Sequence, residues 1–143
     1  MTSSSTVIPV IFVDTSAWYA LMDAEDPNHR AAQAFHRDLG KGRFGRLVTT
    51  DYVLDETYTH LRLRANLGFV RGLVGLLGGS RSIVQLWVGE EDFKRALRLM
   101  LEREDKVWSF TDCTSFVLME SMGIRDAFTF DANFREAGFS AHP

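Results

Sequence analysis

Four acidic residues stand at positions in the chain from which they could share one chemical task. Asp14 ends the run VIFV and is followed by two hydroxyl residues, an alanine and an aromatic pair, in VIFVDTSAWY. Asp131 ends a second apolar run near the other terminus, in AFTFDANF. Glu56 falls on the segment after LVTT, and Asp112 lies at the start of TDCTSFVLMESMG. Singly, each has an ordinary explanation: Asp14 as a helix cap, Asp112 as a first-turn acid complementing a helix dipole, Glu56 as a solvated helix residue, Asp131 as a turn former. What these do not explain is the coincidence of four acids reaching one edge of a fold from four segments. Packed closely, they would repel one another and raise their own pKa values. A divalent cation resolves that repulsion, and an oxygen-only donor set suits Mg2+ or Mn2+. Such an ion makes hydroxide from bound water and neutralises charge on a leaving oxygen, which is the chemistry of phosphodiester hydrolysis.

Delivery to one edge depends on the elements that carry the acids. Residues 10–13 form a β-branched and aromatic run without polar alternation, a strand covered on both faces. A helix follows at once, with Asp14, Thr15 or Ser16 available as its cap. A second helix is predicted after Asp26-Pro27, with Pro27 in its first turn, running to Gly40. GRLVTT reads as a strand, and DYVLDETYTHLRLR as a helix with Val53, Thr57 and Leu61 on one stripe. Gly68 separates it from a helix through FVRGLVGLL, which Gly78 and Gly79 end. SIVQLWV is a strand, EEDFKRALRLMLERE an amphipathic helix with acids first, and TDCTSFVLMESMG a helix closed by Gly123. DAFTF is a strand and GFSAH a last short edge strand. This alternation predicts an α/β fold, a three-layer α/β/α sandwich around a mainly parallel sheet of about five short strands. In open parallel sheets ligands bind outside the carboxyl ends of the strands, where Asp14 and Asp131 are expected.

The length of 143 residues suits one domain over 1–143, with 1–8 a frayed tail. A formal charge of -3 argues against bulk attraction to nucleic acid, though not against a local basic stripe. Cys113 is the only cysteine, so neither an intramolecular disulfide nor a thiol metal cluster is available, as suits a reducing compartment. MTSSSTVIP lacks the basic and apolar regions of a secretory leader, and VIPVIFV is far short of the roughly 20 residues of a membrane span. The expected location is cytoplasmic, away from the membrane.

Together, IFVDTSAW, TTDYVLDETYT, FTDCTSFVLMESMGI and AFTFDANF resemble the PIN domain family, which includes the VapC-type toxin ribonucleases of toxin–antitoxin pairs. The resemblance spans nearly the whole chain, and the ordered set of acids carries it rather than any single motif. It implies a PIN-like fold and an acidic pocket that binds Mg2+ or Mn2+ and cuts RNA. Asp14, Glu56, Asp112 and Asp131 become the metal-binding and catalytic acids by the same resemblance. It further implies a homodimer and an antitoxin partner whose peptide covers the active site. Glu56 is favoured over Asp51 and Asp55 by the family pattern and by its place at the stripe edge; Asp55 points about 100° away. Ser16 or Thr15 can hydrogen-bond Asp14 or a metal-bound water, and Thr111 can orient Asp112. The same hydroxyls serve equally well as helix caps.

An RNA substrate needs cations near the acids. HLRLRANLGFVRG supplies Arg62, Arg64 and Arg71, and GKGRFGR supplies Lys41, Arg43 and Arg46; Arg43, Arg46, Arg62 and Arg64 are the leading candidates beside the ordinary reading of a solvated face. Asp26 and His29 are loop and helix-start residues within possible reach of substrate. LGFVRGLVGLLGG reads as core or as an exposed patch for self-association or a partner peptide. Other classes fit less well. An aspartyl-nucleophile phosphatase wants a second Asp where Ser16 stands, a receiver domain wants an acid pair after the first strand, and a dinucleotide-binding module wants a glycine fingerprint there. A PIN-like scaffold without catalysis, binding RNA or protein, is the remaining alternative.

Overall fold

A computed structural model describes residues 9–143, so the expected frayed tail lies outside the described residues. The elements in chain order are β1 (Val10–Val13), α1 (Thr15–Met22), α2 (His29–Asp38), β2 (Arg46–Thr50), α3 (Asp51–Arg64), α4 (Leu67–Gly79), β3 (Ile83–Leu86), α5 (Glu90–Glu102), α6 (Phe110–Met122), β4 (Asp126–Phe128), α7 (Asn133–Glu136) and β5 (Ser140–His142). All strand pairs are parallel, in the order β3-β2-β1-β4-β5. Right-handed crossovers put α1–α4 on one face and α5–α7 on the other, giving the three layers that the alternation predicts. The chain first moves from β1 outward to β3, then crosses back to lay β4 on the far side of β1. The crevice between the ends of β1 and β4 is therefore the switch point where such folds bind ligands.

β1 is the centre of the core: Ile11, Phe12 and Val13 have no exposed surface, as a strand covered on both faces requires. Trp18 fills one face and donates from Nε1 to Thr49 Oγ1 at 3.1 Å. Val53, Thr57 and Leu61, the stripe on α3, are all fully buried. On the other face Phe134 packs between Phe12 and Phe116, with ring centroids 6.3 and 4.9 Å away. Each such side chain contributes about 1.5–3 kcal/mol by leaving water, so the core fixes the sheet edge that carries the acids.

Several boundaries differ from the sequence expectations. α2 starts at His29, beyond Pro27, because Asp23 and Asp26 turn the chain first: their carboxylates accept from the Glu25 and Asn28 amides at 3.0 and 2.8 Å. Beyond α2 the chain runs through a wide helical turn, Leu39–Arg43, with Gly42 at a positive φ of 92°. The break between α3 and α4 falls at Ala65 and Asn66, not Gly68. Asn66 Oδ1 caps α4 by accepting from Phe69 N at 3.3 Å, and a Cβ at Gly68 would lie 2.8 Å from that oxygen. Glycine there protects the cap rather than breaking the helix. β3 stops at Leu86 because Val88 donates its amide to Asp51 Oδ1 at 2.8 Å instead of continuing the ladder. β4 stops at Phe128, so Asp131 lies in the following loop rather than directly on the strand end. Gly123 closes α6 in the left-handed conformation and β5 is an edge strand, both as expected.

Candidate active site

Asp14, Glu56, Asp112 and Asp131 line one cavity of about 290 Å³. Four elements bring them there for local reasons. Asp14 follows β1 and caps α1, accepting from Ser16 N at 3.4 Å. Asp112 is the third residue of α6 in a reciprocal cap: its amide donates to Ser109 Oγ at 3.0 Å, and its Oδ2 accepts from Ser109 N at 3.2 Å. Glu56 sits in the second turn of α3, whose N-cap Thr50 ends β2. Asp131 is held in the loop after β4, its amide donating to Thr129 Oγ1 at 3.0 Å. The N-termini of α1, α3 and α6 thus converge on one edge of the sheet, and their dipoles favour negative charge there.

Asp14 is 4% exposed, and its Oδ2 accepts from Ser16 Oγ at 2.9 Å and from Thr129 Oγ1 at 3.0 Å. Ser16 Oγ itself accepts from Phe130 N at 2.9 Å. The hydroxyl protons of Ser16 and Thr129 are therefore both spent on Asp14, while their lone pairs hold the loop that carries Asp131. Burial, and next the Asp112 charge, push Asp14 up to about 7, against the pull of Ser16, Thr129 and the Thr15 amide. Burial also raises Asp112; Asn133 and the Ser109 amide oppose this, and Asp131 and Glu56 add to it. Asn133 Nδ2 stands 3.0 Å from Asp112 Oδ2 and 3.4 Å from Asp131 Oδ2, so one amide bridges two carboxylates.

The donors fit a hard cation by chemistry: carboxylate oxygens, one of them buried and reluctant to ionise in the presence of the others. Among the described residues, no three acidic, imidazole or thiol side chains are close enough as they stand to hold an ion.

Of the hydroxyl residues singled out in the sequence, Ser16 touches Asp14 directly. Thr15 turns its hydroxyl to the Val53 carbonyl at 3.3 Å and meets Asp14 only through its amide. Thr111 makes no hydrogen bond to Asp112; its carbonyl accepts from Thr114 and Ser115, and Ser109 and Asn133 take the orienting role. Thr129, Ser109 and Asn133 escaped the sequence reading. Their spacings, two residues before Asp131, three before Asp112 and two after Asp131, are the only signals that point to them. Asp51 is committed to Val88 and Asp55 is exposed, which leaves Glu56 as the α3 acid in the cavity.

The four arginines part company. Arg64 lines the cavity, whereas Arg62 borders a separate apolar depression with Tyr58, Leu63 and Leu67. Arg43 lies 5.4 Å over the Phe44 ring, and Arg46 opens β2 at its amino end. A parallel strand rising about 3.3 Å per residue carries Arg46 away from the carboxyl edge, so Arg43 and Arg46 are not brought to the acids. Asp26 lines the cavity; His29 instead places Nδ1 2.7 Å from the Ala20 carbonyl. Cys113, next to Asp112, is fully buried, and burial first and the Asp112 charge second push its thiol up to about 11.

A parallel sheet in this order, with carboxylates gathered over its switch point, is the arrangement of a PIN domain, and that family matches residues 11–140 of the chain. The chain belongs to the PIN domain family. Within it, the chain is similar to the 23S rRNA-specific endonuclease VapC20 of Mycobacterium tuberculosis, with 32% identity over 131 residues, 91% of this chain and 95% of that protein. A VapC ribonuclease of Archaeoglobus fulgidus is 27% identical over 125 residues, covering 85% and 77% of the two chains. The crystal structure of VapC20, described as a sarcin-ricin loop cleaving toxin, superimposes with a TM-score of 0.84 at 30% identity, over 93% of this chain and 99% of that one. FitAcB from Neisseria gonorrhoeae shares the fold, with a TM-score of 0.64 at 16% identity over 93% and 96% of the chains. These likenesses make the chain a VapC-type PIN toxin ribonuclease.

Proposed function

We propose that the chain is a Mg2+- or Mn2+-dependent endoribonuclease, the toxin of a VapBC-type toxin–antitoxin pair, and that it cuts a structured loop of 23S rRNA. The observation that carries this reading is the meeting of Asp14, Glu56, Asp112 and Asp131 in one cavity at the switch point of the sheet. The likeness to VapC20 over most of both chains supports the choice of substrate.

Asp14, Asp112, Asp131 and Glu56 would hold the cation, which when bound supplies hydroxide near neutral pH and offsets charge on the leaving oxygen. The chain's own contribution is placement. Ser16 and Thr129 fix the Asp14 carboxylate, Ser109 and Asn133 fix Asp112, and Asn133 fixes Asp131. The converging helix N-termini favour a phosphate at the same edge.

The same reading gives the protein an antitoxin partner and a homodimeric state, and puts it in the cytoplasm with its rRNA substrate. Phe93, Leu97 and Leu101 support self-association: they recur at i, i+4 and i+8 on α5, and all three are exposed. Among the described residues, no helix is long and apolar enough to cross a membrane.

The deciding experiment incubates ribosomal RNA and intact ribosomes with the purified protein in Mn2+ or in chelator, and maps new 5′ ends by primer extension. Discrete cuts in 23S rRNA that need the metal and vanish with Asp112→Asn are expected. Intact RNA under every metal condition would overturn the reading.

A further inference from the structure

The cavity does not end at the acids. Glu56, His60 and Arg64 recur every four residues along α3, and all three line it. Tyr19 of α1 and Asn28 of the α1–α2 connection line it as well. The cavity is therefore a groove between α1 and α3, acidic at the sheet edge and carrying an imidazole and a guanidinium farther along. Arg64 makes no salt bridge among the described residues, although Asp26 and Glu56 line the same cavity. The nearby acids are engaged elsewhere: Asp26 accepts from the Asn28 amide, and Asp23 from the Glu25 amide. An exposed guanidinium without a carboxylate partner, two helical turns from the metal-binding acids, has the chemistry to take up a phosphate.

We propose that His60 and Arg64 form a subsite for an RNA phosphate neighbouring the scissile one, so that α3 sets the direction in which the strand lies across the acids. This rests on the ribonuclease reading. At the acid end, the carboxylates would hold the cation that neutralises the scissile phosphate. One to two helical turns on, Arg64 neutralises a second phosphate, and the His60 ring donates a hydrogen bond on the same side. Arg62 faces the apolar depression instead and has no part in the subsite.

The test measures binding of two labelled RNAs, a sarcin-ricin loop hairpin and a twelve-residue oligouridylate, to the Asp14→Asn protein across a salt series. Adding Arg64→Gln should weaken binding five- to tenfold and reduce the slope of log K against log salt by about 0.7, the loss of one single-strand phosphate contact. Arg64→Lys should restore the slope, His60→Ala should weaken binding severalfold, and Arg62→Gln should change neither quantity. In the otherwise wild-type protein, Arg64→Gln should raise KM more than it lowers kcat, with Mn2+ affinity by calorimetry unchanged. An Arg64→Gln slope equal to its parent's, or an equal loss from Arg62→Gln, would overturn the subsite while leaving the nuclease intact. Failure of the unsubstituted protein to cut any RNA in Mn2+ would remove the nuclease reading and the subsite with it.

Discussion

Thr129 donates from Oγ1 to Asp14 Oδ2 at 3.0 Å, joining the loops after β4 and β1 across 115 residues of sequence. The same oxygen accepts from the Asp131 amide, so one hydroxyl sets the positions of two acids. Hydrogen bonds to a charged group are worth roughly 1.5–3 kcal/mol.

Removing that hydroxyl should therefore show in the pH profile as well as in the rate. Thr129→Val takes a donor away from the ionised form of Asp14, which moves its pKa further up. The acid limb of kcat/KM should shift to higher pH, with activity down about 10–100-fold at neutrality. Thr129→Ser should restore both. An unshifted limb in a Thr129→Val protein of reduced activity would mean that the residue does not tune Asp14.

Asp14 also makes a prediction for stability. Its pKa is about 7 in the folded protein against 3.8 for an ordinary aspartate, so between those values the native state binds more protons than the unfolded chain. Stability of the metal-free protein should accordingly be highest at the acid end of that window and fall as pH rises toward about 7. In chelator at pH 8, Asp14→Asn should melt several degrees above wild type. Mn2+ should raise wild type by binding the native state, and raise the variant less. Thermal unfolding at pH 5 and 8 decides this; a wild-type midpoint that climbs over the interval contradicts it.

Asn133 predicts a separation of metal affinity from fold. Asn133→Ala leaves Asp112 and Asp131 without their shared amide, so their repulsion is relieved only by moving apart. Mn2+ affinity by calorimetry should fall about 10–100-fold, with the melting midpoint in chelator within a few degrees of wild type. Undiminished Mn2+ binding would show that the bridge is incidental.

The α5 stripe predicts an oligomeric state. Sedimentation at micromolar concentration should give a dimer, and Leu97→Lys, in the middle of the exposed Phe93–Leu97–Leu101 row, should give a folded monomer. A wild-type monomer at that concentration removes the dimer.

The sequence was legible where local rules decide the outcome and opaque where partners lie far apart. The apolar run before Asp14, the α3 stripe and the left-handed Gly123 follow from periodicity and backbone chemistry, and all three stand in the structure. AFTF looked like unbroken strand, yet Phe130 turns its amide to Ser16 Oγ, and Thr129, whose amide still bonds the His142 carbonyl, sends its hydroxyl to Asp14, each across more than a hundred positions. Asn133 was invisible for the same reason: its amide matters only because α6 brings Asp112 alongside. Arg43 and Arg46 misled because a cluster of positive charge does not reveal which end of a parallel strand it occupies. Gly68 looked like a break, when its missing Cβ serves the Asn66 cap.

Cys113, sealed inside α6 with its thiolate held off by burial and by its acidic neighbour, has a practical use. Alkylating reagents and mild oxidants will pass over the native protein and strike only molecules that have come open. The rate of thiol labelling is thus an internal clock for unfolding, and slower labelling in Mn2+ or beside an antitoxin would report their grip on the fold without any added probe.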